Sequence, residues 1–107
     1  MWLFQNDSFL SVVAHDVEDD LLHVRARIPG DIERAFPEAA VYETPYGDYR
    51  FNANLRRERV AEVVSNAVRH IRYEEFQKSV SDPERRKVYG LVWDAMAQEE
   101  QRRLAGE

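Results

Sequence analysis

His15 and His23 bracket a loop that also carries Asp16, Glu18, Asp19 and Asp20. Two neutral imidazoles beside an ionised carboxylate are ligand types that hold a divalent metal when they converge on one point. The spacing here is unspecific, because the loop lacks the glycine and the alternating ligand positions of a calcium loop. The expectation is therefore a solvated acidic loop with no bound metal. A metal-binding or enzymatic domain using His15 and His23 stands as the alternative. His70, beside Ile71, reads as a boundary residue between helix faces.

Arginine is the second chemical resource. Thirteen of the fifteen basic residues are Arg, whose planar fork pairs carboxylate or phosphate bidentately. Arg25, Arg27 and Arg50 fall with His23 on one face of the expected sheet, together with Ser11, Val13, Asn52 and Asn54. Such a face grips an anionic partner, unless Glu43 and other acids of the same chain already occupy its guanidinium groups. Arg56, Arg57 and Arg59 crowd the start of a helix, where free backbone N–H groups favour an anion and cations are unfavourable. They mark a second corner for an acidic partner, with Arg59–Glu62 pairing as the internal alternative.

Catalysis finds no support. There is no glycine-rich phosphate loop, serine elbow, zinc motif or dinucleotide fingerprint, and four glycines leave little material for one. Glu74 and Glu75 are adjacent and diverge, so they cannot flank one bond. The expectation is a non-enzymatic protein without a cofactor. A stacking platform for single-stranded nucleic acid fits poorly, since Val13 and Asn52 stand where rings are needed. Nucleic acid is thus a minor option beside a protein partner.

The elements that position these residues follow from periodicity. Leu22, Val24, Ala26 and Ile28 alternate with His23, Arg25 and Arg27, the period-two pattern of a half-buried strand. Residues 9 to 15 read likewise, and antiparallel pairing across the acidic loop sets Leu10, Val12 and Ala14 opposite Ile28, Ala26 and Val24. That register makes His15 and His23 cross-strand neighbours. Trp2, Leu3 and Phe4 extend this first strand or form a separate one.

Pro29 and Gly30 end the second strand, and Asp31 is placed to cap a short helix that Pro37 stops. Residues 41 to 44 and 49 to 55 flank a turn with Pro45 and Gly47, so Tyr42 is expected opposite Phe51 on the core side and Glu43 opposite Arg50. From Arg56 the period changes. Val60, Val63, Val64, Ala67, Val68 and Ile71 form one helical stripe, expected to pack on the sheet.

Tyr73, Phe76 and Val80 imply a further short helical segment. Asp82, Pro83 and Glu84 then supply cap, first-turn proline and first-turn acid for a last helix. Its middle is apolar nearly all round. Either it is pinned between layers or Tyr89, Val92, Trp93 and Met96 build a homodimer, the alternative structural role.

One domain of 107 residues accommodates all of this: an α+β fold with an antiparallel sheet of three to five strands from the N-terminal half, packed on C-terminal helices. Residues 98 to 107 lack a core face and are expected to fray. With no Cys, disulfides, thiolate zinc sites and cysteine nucleophiles are excluded. The same absence suits a reducing cytosol, the expected location. The opening Met1–Asp7 turns acidic too soon for a signal peptide, and no apolar run is long enough to span a membrane. Net charge is −5, but residues 1 to 48 carry ten acids against three Arg while the remainder is slightly basic.

Trp2, Phe4, the run from Phe9 to Val13, Leu21 and Leu22 with Val24 to Arg27, Asp31 to Glu33, Thr44–Pro45, Asp48 to Arg50, Tyr73, Phe76, Lys78, Tyr89, Val92, Trp93 and Met96 carry a resemblance. In these residues the chain resembles an uncharacterised family of bacterial proteins of about this length. No activity comes with that resemblance, and so no catalytic residue. It marks Arg25, Arg27 and Arg50 as part of the family's pattern. In general character the chain is also similar to phage and mobile-element inhibitors of host defence such as anti-CRISPR proteins, which act by covering a surface. The functional expectation is an interaction module for an anionic or mixed-charge partner surface, inhibiting or regulating a larger complex.

Overall fold

A computed structural model describes residues 1 to 106. The chain divides into two compact units, Met1–Arg72 and the remainder from Tyr73.

The first unit holds a five-stranded, wholly antiparallel sheet. Its strands are β1 (Trp2–Gln5), β2 (Ser8–Ala14), β3 (Leu21–Ala26), β4 (Tyr42–Glu43) and β5 (Phe51–Arg56), in the spatial order β1-β2-β3-β5-β4. Two helices belong to it, α1 (Asp31–Ala35) and α2 (Arg57–Arg69). The expected α+β class and the strand count are as found. Trp2–Phe4 form their own strand, folded back on β2 through Asn6 and Asp7 so that Trp2 lies opposite Ser11 and Phe4 opposite Phe9.

Alternation sets the two faces of the sheet. Leu10 and Val12 of β2, Val24 and Ala26 of β3, and Ala53 and Leu55 of β5 point to one side, where they join Ile32 of α1, Phe36 just after it and Val60 of α2 in a single buried cluster. Burying Ile32 and Phe36 completely contributes about 1.5–3 kcal/mol each. The short helix therefore counts for more than its five residues imply. It starts at Gly30, which occupies the cap position at φ 90°, a left-handed conformation that glycine adopts without a Cβ penalty. Asp31 is thus not the cap. Its side chain is fully buried and accepts hydrogen bonds from the backbone N–H of Phe9 at 2.9 Å and from Arg34 at 2.8 Å, tying α1 to β2.

Two registers differ from expectation. β2 and β3 pair with Val12 opposite Val24 and Val13 opposite His23, two residues from the expected alignment. A slip of two preserves the faces but separates His15 from His23. β4 and β5 pair with Glu43 opposite Phe51 and Tyr42 opposite Asn52, a slip of one, so Tyr42 lies on the outer side and is 44% exposed. Asn52 is the reason. It is buried, and its side-chain amide donates to Thr44 Oγ1, Tyr49 O and Arg50 O, locking the turn in a form that leaves only two residues of β4 in the ladder.

α2 follows β5 without a loop, and Val60 enters the core. The expected packing of the whole stripe is only partly realised: Val63 and Val64 are half-buried, while Val68 and Ile71 are exposed. The core position along the sheet is taken by α1. A crevice of about 350 Å³ remains between the later turns of α2 and Leu3, Leu10 and Phe36.

The second unit consists of a 3₁₀ turn (Gln77–Ser79) and α3 (Pro83–Ala105). Asp82 caps α3 as expected, accepting from Glu84 N–H at 3.0 Å and more weakly from Arg85 N–H, with Pro83 in the first turn. Tyr89 stacks on Phe76, and the Arg86 guanidinium donates twice to the carbonyl of Val80. Within the segment expected to fray, α3 runs on to Ala105, with Glu99 accepting from both Arg102 and Arg103. Among the described residues no helix is long and apolar enough to cross a membrane.

Candidate functional site

α1 and α2 both pack on the core face, so within the first unit the opposite face of the sheet carries no helix. Across it run Trp2 and Phe4 of β1, Phe9 and Ser11 of β2, His23 and Arg25 of β3, and Asn52 of β5, all sharing one side by their pairing. The expected outer set Arg25, Arg27 and Arg50 fares unevenly.

Arg25 and Arg27 converge on one ring. Their guanidinium carbons lie 4.4 and 4.2 Å from the centroid of Tyr49, itself only 5% exposed. Such stacking leaves the charge in place while fixing the side chain. Arg25 also donates to Ser11 Oγ at 2.8 Å, and its Nε–H is buried without a hydrogen-bond acceptor among the described residues. No carboxylate pairs with it among the described residues; a ring and a hydroxyl position this cation. Arg27 donates to the Asp48 carbonyl at 2.8 Å and has the Asp48 carboxylate at a looser 3.5 Å, on a side chain that is 55% exposed.

Arg50 is different, because its Nε–H donates to Glu43 at 2.8 Å despite the shifted register. The internal alternative holds for that residue. It also holds at the start of α2. Arg59 pairs with Glu38 and Glu62, which raises its own pKa and, through the Arg59 hydrogen bond, lowers that of Glu38. Arg57 donates twice to the Asp19 carbonyl, and Arg56 is exposed at the end of β5. The three arginines fan out to separate places and form no common anion pocket.

Each histidine has a structural partner, a side-chain amide for His23 and backbone N–H groups for His15. His23 Nε2 donates to Asn52 Oδ1 at 2.9 Å, since that oxygen can only accept. His15 Nδ1 accepts from the backbone N–H groups of Val17 and Glu18, closing the acidic loop on itself, with Asp16 at 3.4 Å. The two rings do not face each other across the strands, and no group of three potential metal ligands occurs among the described residues. A groove of about 540 Å³ between β2 and α2 is lined mainly by aliphatic side chains, with Arg57 at its edge.

The residues that sequence reasoning missed are the rings. Trp2 meets Phe9 edge-on at 5.9 Å and Phe4 stacks on Phe9 at 4.6 Å, with Trp2 67% exposed. The alternation of Trp2 and Phe4 around a two-residue turn was the available signal. Tyr49 gave none, because the arginines it seats, Arg25 and Arg27, lie far from it along the chain.

Comparison with protein-family models, with curated proteins and with solved structures found no match.

Proposed function

We propose that the protein is a non-enzymatic interaction module whose outer sheet face docks on an acidic or mixed-charge surface of a partner protein. The observation that carries this reading is the Tyr49 seat, which holds the Arg25 and Arg27 guanidinium groups side by side, with no carboxylate paired to Arg25 among the described residues. Trp, Tyr and Arg are the side chains that most often dominate protein–protein affinity. This face presents Trp2 and the Arg25 and Arg27 guanidinium groups, with the buried Tyr49 ring as their support. A cation already ordered by stacking loses little freedom when it meets a carboxylate.

The charge balance favours protein over nucleic acid. At −5 overall, with an acidic loop at residues 16 to 20, the chain is repelled by a continuous polyanion but not by a local acidic patch. Inhibition or regulation of a larger complex by covering such a patch is the use proposed, in the manner of small mobile-element inhibitors. A cytoplasmic location is part of the same proposal.

The test compares wild type with an Arg25→Gln/Arg27→Gln variant as baits in extract of the native host. A specific partner is expected to be retained by wild type and reduced at least about tenfold on the variant, since losing charge-assisted interface contacts costs more than about 1.4 kcal/mol. Equal retention by a folded variant overturns the reading.

A further inference from the structure

α3 leaves part of its apolar surface exposed. Within its own unit the helix is contacted by the 3₁₀ turn, and Phe76 covers Tyr89. Tyr89 is consequently buried and unavailable to a partner. The helix face on the other side of Val88 stays open: Val88 is 55% exposed, Leu91 63% and Val92 38%. With Glu84, Ala95, Gln98 and Arg102, Val88 and Leu91 recur at helical spacings of three and four, forming one continuous stripe along the 23-residue helix. An apolar stripe of this kind, ending in opposite charges, is self-complementary only in one orientation.

The charge order along α3 fixes that orientation. Acids stand at Asp82 and Glu84, bases at 85 to 87, the apolar stretch from Val88 to Ala97 is interrupted only by Asp94, acids return at Glu99 and Glu100, and bases at Arg102 and Arg103. Laid parallel in register, two copies bring like charges together at every block. Laid antiparallel about Trp93, Glu84 meets Arg102 of the other copy, Lys87 meets Glu99, Leu91 meets Ala95, and Val88 meets Gln98. Arg85 is buried and Arg86 is bound to the Val80 carbonyl, so Lys87 makes the contact for the basic block. Opposite charges flanking an apolar seam set partner choice and orientation in paired helices.

We infer that α3 associates with α3 of a second copy, antiparallel and centred near Trp93, through Val88, Leu91, Val92 and Ala95. This seam shares Val92 with one built on Tyr89, Val92, Trp93 and Met96 but lies on the helix face away from the buried Tyr89. Trp93 and Met96 are also exposed, and the opposite-charge flanks, not exposure alone, select Val88, Leu91 and Ala95. No partner protein is needed for this association, so it stands or falls separately from the sheet-face reading.

Sedimentation velocity of the full chain from about 1 to 100 μM is expected to show a concentration-dependent dimer. Leu91→Glu, placed on an exposed position that the fold does not need, is expected to weaken the dimer at least about tenfold with an unchanged circular dichroism spectrum. Orientation is read by disulfide capture, which is clean because the chain has no Cys. A mixture of Val88→Cys and Gln98→Cys chains is expected to cross-link between the two variants. Monomers throughout the range, a dimer indifferent to Leu91→Glu, or cross-linking of Val88→Cys chains to one another each overturns the inference.

Discussion

The Arg25 guanidinium carbon stands 4.4 Å above the ring of Tyr49, whose backbone carbonyl accepts from the Asn52 side-chain amide in the turn before β5. The residue that seats this cation is thus itself bonded to a buried amide. A double-mutant cycle between Arg27→Ala and Tyr49→Leu measures the stacking itself. Tyr49→Leu keeps the apolar bulk, and the expected coupling is about 0.5–1 kcal/mol by urea unfolding, the range for partly exposed cation–ring pairs.

Asn52→Leu is expected to destabilise the protein by about 1–3 kcal/mol. It removes three donor contacts to the turn and leaves His23 Nε2 without its acceptor. The check is chemical denaturation, with binding to the partner followed in parallel. If the turn positions the arginines, binding falls even under conditions where the variant is fully folded.

Asp31→Ala removes the acceptor for the buried Phe9 N–H and is expected to cost about 1–3 kcal/mol. Gly30→Ala, at φ 90° with the Arg34 guanidinium 3.2 Å from the added methyl carbon, is expected to cost about 1–2 kcal/mol. Both act on α1, and each is read as a lowered midpoint in urea at unchanged slope.

The acid side of the stability curve has a definite sign. The Arg59 hydrogen bond holds the Glu38 carboxyl below the ordinary carboxylate value, and Arg102 followed by Arg103 does the same for Glu99. A carboxylate depressed in the folded state contributes stability above its unfolded value and loses that contribution as pH falls through the folded value. Glu38→Gln is therefore expected to melt below wild type at neutral pH, with the gap closing as pH drops below about 4. The pair is exposed, so the gap is small and shrinks in high salt.

Much of the fold was legible because alternation and helical stripes report burial directly. The faces of β2 and β3 follow from Val12, Val24 and Ala26 whatever the register, since a slip of two leaves them unchanged. The register itself was not legible, because loop closure depends on His15 capping the loop with its ring, which no period encodes. β4 was misaligned for a related reason: Asn52 reads as an outward polar residue, yet it is 3% exposed and bonded three ways to the turn.

Site residues divide along the same line. The spacing of Arg25 and Arg27 placed them on one face, but nothing local distinguishes them from Arg50 or Arg59, whose carboxylate partners Glu43 and Glu38 are brought near by tertiary structure. The contribution of Trp2 and Phe4 needed the separate strand β1.

The central claim concerns which arginines a partner covers, and differential labelling measures it most directly. With the captured partner in hand, the complex and the free protein are treated with an arginine-specific dicarbonyl and compared by mass spectrometry. Protection concentrated at Arg25 and Arg27, with Arg50 and Arg59 labelled equally in both states, is the predicted result. Equal labelling of Arg25 and Arg27 in the presence of bound partner contradicts the account.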